Sequence, residues 1–165
     1  MKKNVIVSNR LPLHITKLEN SFLFEPSSGG LATGLNSVHK KNDSLWIGWS
    51  GISNDDLTQK DKLYIKRSLK KDRLVGVELC KKEIDEFYYG LSNKCIWPLF
   101  HYFIELAKFN EKDWVSYLEV NKKFCKKVIE NATLNSTVWV HDYQLLLLPK
   151  LIKEVRPDLT VGFFL

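Results

Sequence analysis

The chain has 165 residues, of which 44% are hydrophobic, 12% aromatic and 27% charged, a balance that excludes disorder, collagen and coiled coil and predicts one domain with a real core. Lys and Arg total 25 against 19 Asp and Glu, so the net charge is +6; this suits an anionic ligand or reflects solvated lysine-rich helix faces. The basic residues are scattered in pairs such as Lys40-Lys41, Lys70-Lys71 and Lys126-Lys127, which argues against a nucleic-acid-binding arm.

The chain reads as alternating strands and helices. Residues 4–8 form a short apolar run of the kind buried in a parallel sheet. Residues 9–28 are polar and contain Pro12 and Pro26, with a hairpin expected around 21–24. Ser27-Ser28-Gly29-Gly30 then opens a helix that carries Leu31, Leu35 and Val38 on one side. A second strand is predicted over 45–49, a turn over 51–56, a basic helix over 57–71 and a third strand over 73–79. A helix over 81–90 follows, and Trp97-Pro98 is expected to interrupt what comes after it. The clearest helix spans 111–131, with Trp114, Leu118, Phe124, Val128 and Ile129 at helical spacing. A buried strand over 137–140, a helix over 143–155 stopped by Arg156-Pro157, and an apolar strand from Thr160 to Leu165 complete the pattern. Because the sequence ends inside that last strand, the chain is expected to be the front part of a longer protein.

Three cysteines, Cys80, Cys95 and Cys125, are widely spaced and form no metal-ligating pattern. Without a secretory signal they suggest a reducing cytosol, so a cytoplasmic location is expected. The longest apolar stretch, residues 145–148, is far short of the ~20 residues a membrane span needs.

Four motifs carry chemistry, the first of them joining Arg10 to Gly29 and Gly30. Arg10 stands at the tip of the first strand, where a guanidinium can grip a phosphate or pair with a loop carboxylate. Gly29 and Gly30 at a helix start admit a phosphate to the backbone N–H groups, or simply make a tight turn; neither a dinucleotide fingerprint nor a P-loop is present. In Trp46-Ile47-Gly48-Trp49 the two indoles face opposite sides of a strand, so one belongs to the core and Trp49 either packs as well or shapes a pocket. Tyr88, Tyr89 and Trp97 offer flat amphipathic rings suited to a sugar face, or to a core. His141 and Asp142 stand at the end of a buried strand, where Asp142 caps the next turn or accepts from a ligand hydroxyl and His141 is structural or a base.

These pieces occur in a familiar order: Val-Ser-Asn-Arg-Leu-Pro at 7–12, Ser-Gly-Gly-Leu-Ala-Thr-Gly-Leu at 28–35 and Trp-Ile-Gly-Trp-Ser-Gly at 46–51. Ser-Asn-Lys-Cys-Ile-Trp-Pro-Leu-Phe-His-Tyr at 92–102, Trp114 with Tyr117, Val120-Asn121, and Val-Trp-Val-His-Asp-Tyr-Gln-Leu at 138–145 follow. The set closely resembles the N-terminal part of the trehalose-6-phosphate synthase family over essentially the whole chain. The resemblance implies an α/β, GT-B architecture of two Rossmann-like domains, with residues 1–165 supplying most of the first, acceptor-binding domain and none of the nucleotide-sugar domain. It implies transfer of glucose from UDP-glucose to glucose 6-phosphate with retention, and no cofactor or metal.

By that resemblance Arg10, Tyr88, Trp97 and Asp142 match acceptor-binding residues, Gly29 and Gly30 match glycines near the donor phosphates, and Trp49 and His141 shape the pocket. The family's Tyr-Asn-Gly-Phe-Ser-Asn segment reads Tyr88-Tyr89-Gly90-Leu91-Ser92-Asn93 here, which leaves Tyr88 and Tyr89 both open as the contact. Family members continue after the Phe-Phe-Leu strand with a histidine at the reacting centre. Catalytic residues are therefore expected just after Leu165 and in the missing domain, with none in these 165 residues and no synthase activity from them alone. The expected partners are the two small-molecule substrates, with self-association or a trehalose-synthase complex open and neither nucleic acid nor membrane. The alternative is a non-catalytic relative that senses sugar phosphate.

Overall fold

The computed structural model describes residues 4–19, 21–27, 30–41 and 44–165, with the backbone alone for residues 31, 32 and 41. A five-stranded sheet forms the centre. It contains β1 (Asn4–Arg10), β4 (Leu45–Trp49), β5 (Leu74–Gly76), β6 (Thr137–His141) and β7 (Thr160–Phe164), in the order β5-β4-β1-β6-β7. Every pairing in it is parallel. The expected hairpin is β2 (Leu13–Lys17) with β3 (Phe22–Pro26), an antiparallel pair outside the main sheet.

Alternation along the strands divides the core. Ile6 and Trp46 join Leu35, Ile65 and Leu69 on the face covered by α1 (Gly30–Lys41) and α2 (Gln59–Lys71). Val5, Val7, Ile47 and Trp49 join Phe87, Tyr117, Phe124 and Val128 on the other face. That second face is covered by the helical stretch after Cys80, by α5 (Glu111–Asn131) and by α6 (Leu148–Val155). The opposite facing of Trp46 and Trp49 is as the sequence predicts. Thr58 and Asp61 cap α2 reciprocally, and Asn110 caps α5 through the N–H of Lys112. Among the described residues no helix is long and apolar enough to cross a membrane.

Four elements differ from expectation. The third strand shrinks to three residues, because the chain after Val77, whose N–H still donates to Gly48, turns away and Leu79 accepts from Asn54. The helix over 81–90 does not stop before Trp97-Pro98. It begins as α3 (Lys81–Glu83), widens into a π-helix (Ile84–Ile96), where the N–H of Trp97 reaches back five residues to Ser92, and closes as α4 (Trp97–Phe100). Pro98 falls in the first turn of α4, where its missing N–H costs nothing. The helix over 143–155 divides into a 3₁₀ turn (Tyr143–Leu145) and α6, which restarts at a proline-containing first turn. The last strand stops one residue short of the predicted end: β7 closes at Phe164, whose partner is His141 at the end of β6, and Leu165 lies past the ladder with no residue of β6 opposite it.

The strand order fixes where ligands gather. From β1 the chain builds outward through β4 and β5, then returns to the other side of β1 for β6 and β7. The carboxyl ends of β1 and β6 therefore flank the topological switch point of a doubly wound sheet.

Candidate functional site

Arg10 is aimed by a bulge. In the pairing of β1 with β4, Val7 lies opposite Ile47 but Arg10 lies opposite Trp49, so β1 carries one extra residue there. Ser8 ties the bulge together: its hydroxyl donates to the Arg10 carbonyl at 2.6 Å and accepts from Trp46 Nε1 at 2.8 Å. Gly48 makes the bulge sterically feasible, since a Cβ there would lie 2.8 Å from both Arg10 C and Leu11 N.

Two rings seat the guanidinium. Arg10 Cζ is 4.3 Å from the Trp49 ring centroid and 5.4 Å from that of Tyr88. The Trp49 indole is buried and donates to the Ile52 carbonyl at 2.8 Å. Gly51, at φ +90°, brings the loop after β4 close, so that a Cβ there would sit 3.2 Å from Arg10 Nη1. Among the described residues Arg10 has no carboxylate partner and no side-chain hydrogen bond. Tyr89 turns outward, 49% exposed and edge-on to Tyr88, so Tyr88 is the ring that meets Arg10.

Across the switch point, Asp142 follows β6 with φ 77° and ψ 160°, and its Oδ1 accepts from the Tyr143 N–H at 2.9 Å. Tyr143 joins the two halves. Its hydroxyl donates to Asn93 Oδ1 of the π-helix at 3.2 Å, and its ring meets Phe100 edge-on at 6.5 Å. Burial, then the nearby acidic groups of Asp142 and Tyr88, pushes its phenol up to about 12.

The π winding has a geometric effect. In an α-helix, residues nine apart lie roughly half a turn round from each other. In a helix closed by i→i+5 bonds a turn holds roughly four to five residues, so Tyr88, Asn93 and Trp97 follow one another along one face. Trp97 is 43% exposed and stacks on His101 at 3.9 Å. Among the described residues it has no ring contact with Arg10, Tyr88 or Asp142. Its role would have to be played across an intervening ligand.

His141 stands apart. It is 1% exposed, its ring lies 4.4 Å from that of Trp139 and 6.0 Å from that of Phe164, and neither ring nitrogen has a partner among the described residues. Alternation from Val140, which packs with Trp49, turns it to the other side of the sheet. Burial holds its pKa below the usual histidine value. Gly30 starts α1 with nothing within 4 Å of an added Cβ, while Gly29 lies outside the described residues. Leu165, the residue after which a catalytic histidine is expected, is exposed and brings only an aliphatic side chain, so it supplies no catalytic group of its own. The structure thus brings together Arg10, Trp49 and Tyr88, while Asp142 is linked through Tyr143 to Asn93 on the helix that carries Tyr88.

Sequence reasoning missed Tyr143, Asn93 and the glycine contact at position 48. Asn121 left a readable signal, a polar residue four places after Tyr117 on an apolar helix face. A cavity of about 570 Å³ lies elsewhere, at the β5 edge between α2 and α5. Its floor of Ile65, Leu69 and Leu74 with a rim of Lys66, Lys70 and Lys127 includes none of Arg10, Trp49, Tyr88 and Asp142.

A doubly wound parallel sheet flanked by helices defines a Rossmann-like α/β domain, with Arg10 seated on aromatic rings at its switch point. The chain belongs to glycosyltransferase family 20, whose family model matches residues 2–165. It is 40% identical over 164 residues to a trehalose-6-phosphate synthase of Mycobacterium sp. (strain KMS), covering 98% of this chain and 32% of that protein. Among solved structures it resembles a trehalose-6-phosphate protein from E. coli bound with UDP-2-fluoro glucose (TM-score 0.74, 28% identity, 99% of this chain and 33% of that one). It also resembles a UDP-forming alpha,alpha-trehalose-phosphate synthase from Burkholderia xenovorans in complex with glucose-6-phosphate (TM-score 0.75, 25% identity, 99% of this chain and 33% of that one). The chain spans about a third of the length of the relatives it matches.

Proposed function

We propose that this chain is the acceptor-binding, Rossmann-like domain of a retaining glucosyltransferase that moves glucose from UDP-glucose to glucose 6-phosphate, giving trehalose 6-phosphate and UDP. The observation that carries this reading is Arg10: a guanidinium fixed by two rings at the switch point, with its N–H donors unspent on acceptors among the described residues. A sugar phosphate supplies the dianion that such a fork grips bidentately. Family membership and the names of the relatives support the same reaction.

In this reading Arg10 binds the acceptor phosphate. Tyr88 and Trp97, on one face of the π-helix, flank the hexose ring, and Asp142 accepts from the hydroxyl that attacks. Holding that hydroxyl against the donor makes a bimolecular step local, which is a large part of the rate gain in such transfers. Gly30, at the start of α1, approaches the donor phosphates, together with its sequence neighbour Gly29. The catalytic histidine follows Leu165 in the whole protein, at the carboxyl end of β7 and beside the turn that carries Asp142. Reaction in the cytoplasm agrees with three cysteines that are all unpaired.

The test uses the whole protein. Incubation with UDP-glucose and glucose 6-phosphate should yield trehalose 6-phosphate, and Arg10→Ala should raise the KM for the acceptor by about 10²-fold with little change in that for the donor. Binding of glucose 6-phosphate without turnover would instead identify a sensor. Equal acceptor KM in both proteins would remove Arg10 from the site.

A further inference from the structure

The turn after β6 is held in a conformation its sequence resists. The backbone of Asp142, at φ 77° and ψ 160°, occupies a region that is nearly exclusive to glycine. Such strain persists only where surrounding structure over-determines it. Here one constraint comes from β7, whose Phe164 carbonyl accepts from the Asp142 N–H at 2.8 Å. The others come from two side chains of α5. The Tyr117 hydroxyl donates to the Tyr143 carbonyl at 2.7 Å and accepts from the Leu146 N–H at 3.1 Å. Asn121, one turn along, donates through Nδ2 to the Gln144 carbonyl at 3.1 Å and to the Tyr117 carbonyl at 2.9 Å.

Between them the two side chains grip the backbone of Tyr143, Gln144 and Leu146, all within four residues of Asp142. Tyr117 is itself fixed, its ring lying against Phe87 at 5.6 Å and stacked with Trp114 at 6.0 Å. Stability alone does not ask for this arrangement. Both side chains are buried, and Asn121 Oδ1 has no partner among the described residues, a cost that an apolar pair would avoid. A glycine at 142 would remove the strain while keeping the backbone bonds of the turn. What it would lose is the carboxylate.

We propose that Tyr117 and Asn121 are positioning residues: from α5 they hold Asp142 in its strained conformation and so aim its carboxylate at the acceptor. The aim at the acceptor rests on the function proposed above; the brace does not. Two measurements on the full protein separate them. The first is thermal unfolding of Asp142→Gly and Asp142→Ala, both of which lose the cap to Tyr143 while only Gly relieves the strain. With Tyr117 intact, the Gly variant should melt at least about 3 °C above the Ala variant. With Tyr117→Phe added, or Asn121→Ala where that protein is better behaved, the gap should fall by half or more. A gap that is absent, or that persists unchanged, overturns the brace.

The second is calorimetry with glucose 6-phosphate. Tyr117→Phe, which touches no ligand, should weaken binding about tenfold. Unchanged affinity overturns the positioning role. If the unaltered protein does not bind glucose 6-phosphate, the acceptor reading fails and the melting comparison still judges the brace.

Discussion

The guanidinium carbon of Arg10 lies 4.3 Å from the centre of the Trp49 ring, and the ring's own N–H is occupied by the Ile52 carbonyl. The indole is therefore a fixed plate, and the arginine lies against it with no side-chain hydrogen bond among the described residues. A lysine keeps the charge but neither the flat contact nor the fork. Arg10→Lys should therefore weaken glucose 6-phosphate binding by about tenfold or more, measured by calorimetry, while leaving the unfolding temperature within a degree or so. Full retention of affinity would show that charge alone suffices.

Gly48 and Gly34 should respond to the same substitution with opposite signs. Alanine at 48 drives a methyl into the Arg10–Leu11 backbone at 2.8 Å, where no side chain can yield. Gly48→Ala should cost about 1–3 kcal/mol and lower acceptor affinity with it, because the bulge that aims Arg10 must shift. Gly34 sits inside α1 with nothing among the described residues within 4 Å of an added Cβ, so Gly34→Ala should stabilise by about 0.4–1 kcal/mol. Chemical denaturation of the two variants reads both signs.

His141 and His39 give a pH dependence of stability. Burial is the first cause holding each below the ordinary histidine value of 6.5. The unfolded chain then takes up protons at a pH where the folded protein does not. Stability is full above about 6.5 and is lost as pH falls below it toward the folded values. Urea titrations between about pH 7 and pH 5 should show declining stability, with the slope reduced in His141→Gln. A slope identical in the variant would mean that His141 contributes none of it.

The parts of the fold that were legible are those with ordinary periods. Helix α5 runs over the predicted 111–131 because its apolar stripe and its Asn110 cap both obey α geometry. The strands β1, β4, β6 and β7 announced themselves as short apolar runs, although an apolar run alone does not mark where pairing stops, and Leu165 falls outside β7. The π-helix did not announce itself, because a pattern read at 3.6 residues per turn scrambles a wider winding, and Pro98 then looked like a break. At the site, Arg10, Tyr88 and Asp142 were named from the sequence, but the bulge, the strain at Asp142 and the Tyr143–Asn93 link arise from contacts between distant segments. No local pattern encodes a bond from residue 143 to residue 93.

The wide winding between Tyr88 and Trp97 also makes the stretch intolerant of shortening. Removing a single residue there and tightening the helix to ordinary α geometry puts Trp97 eight residues after Tyr88, roughly 80° round the axis from it. Trp97 would then leave the side it shares with Tyr88, although every side chain named here would still be present. Length between those two rings is as much a determinant as the identity of either one.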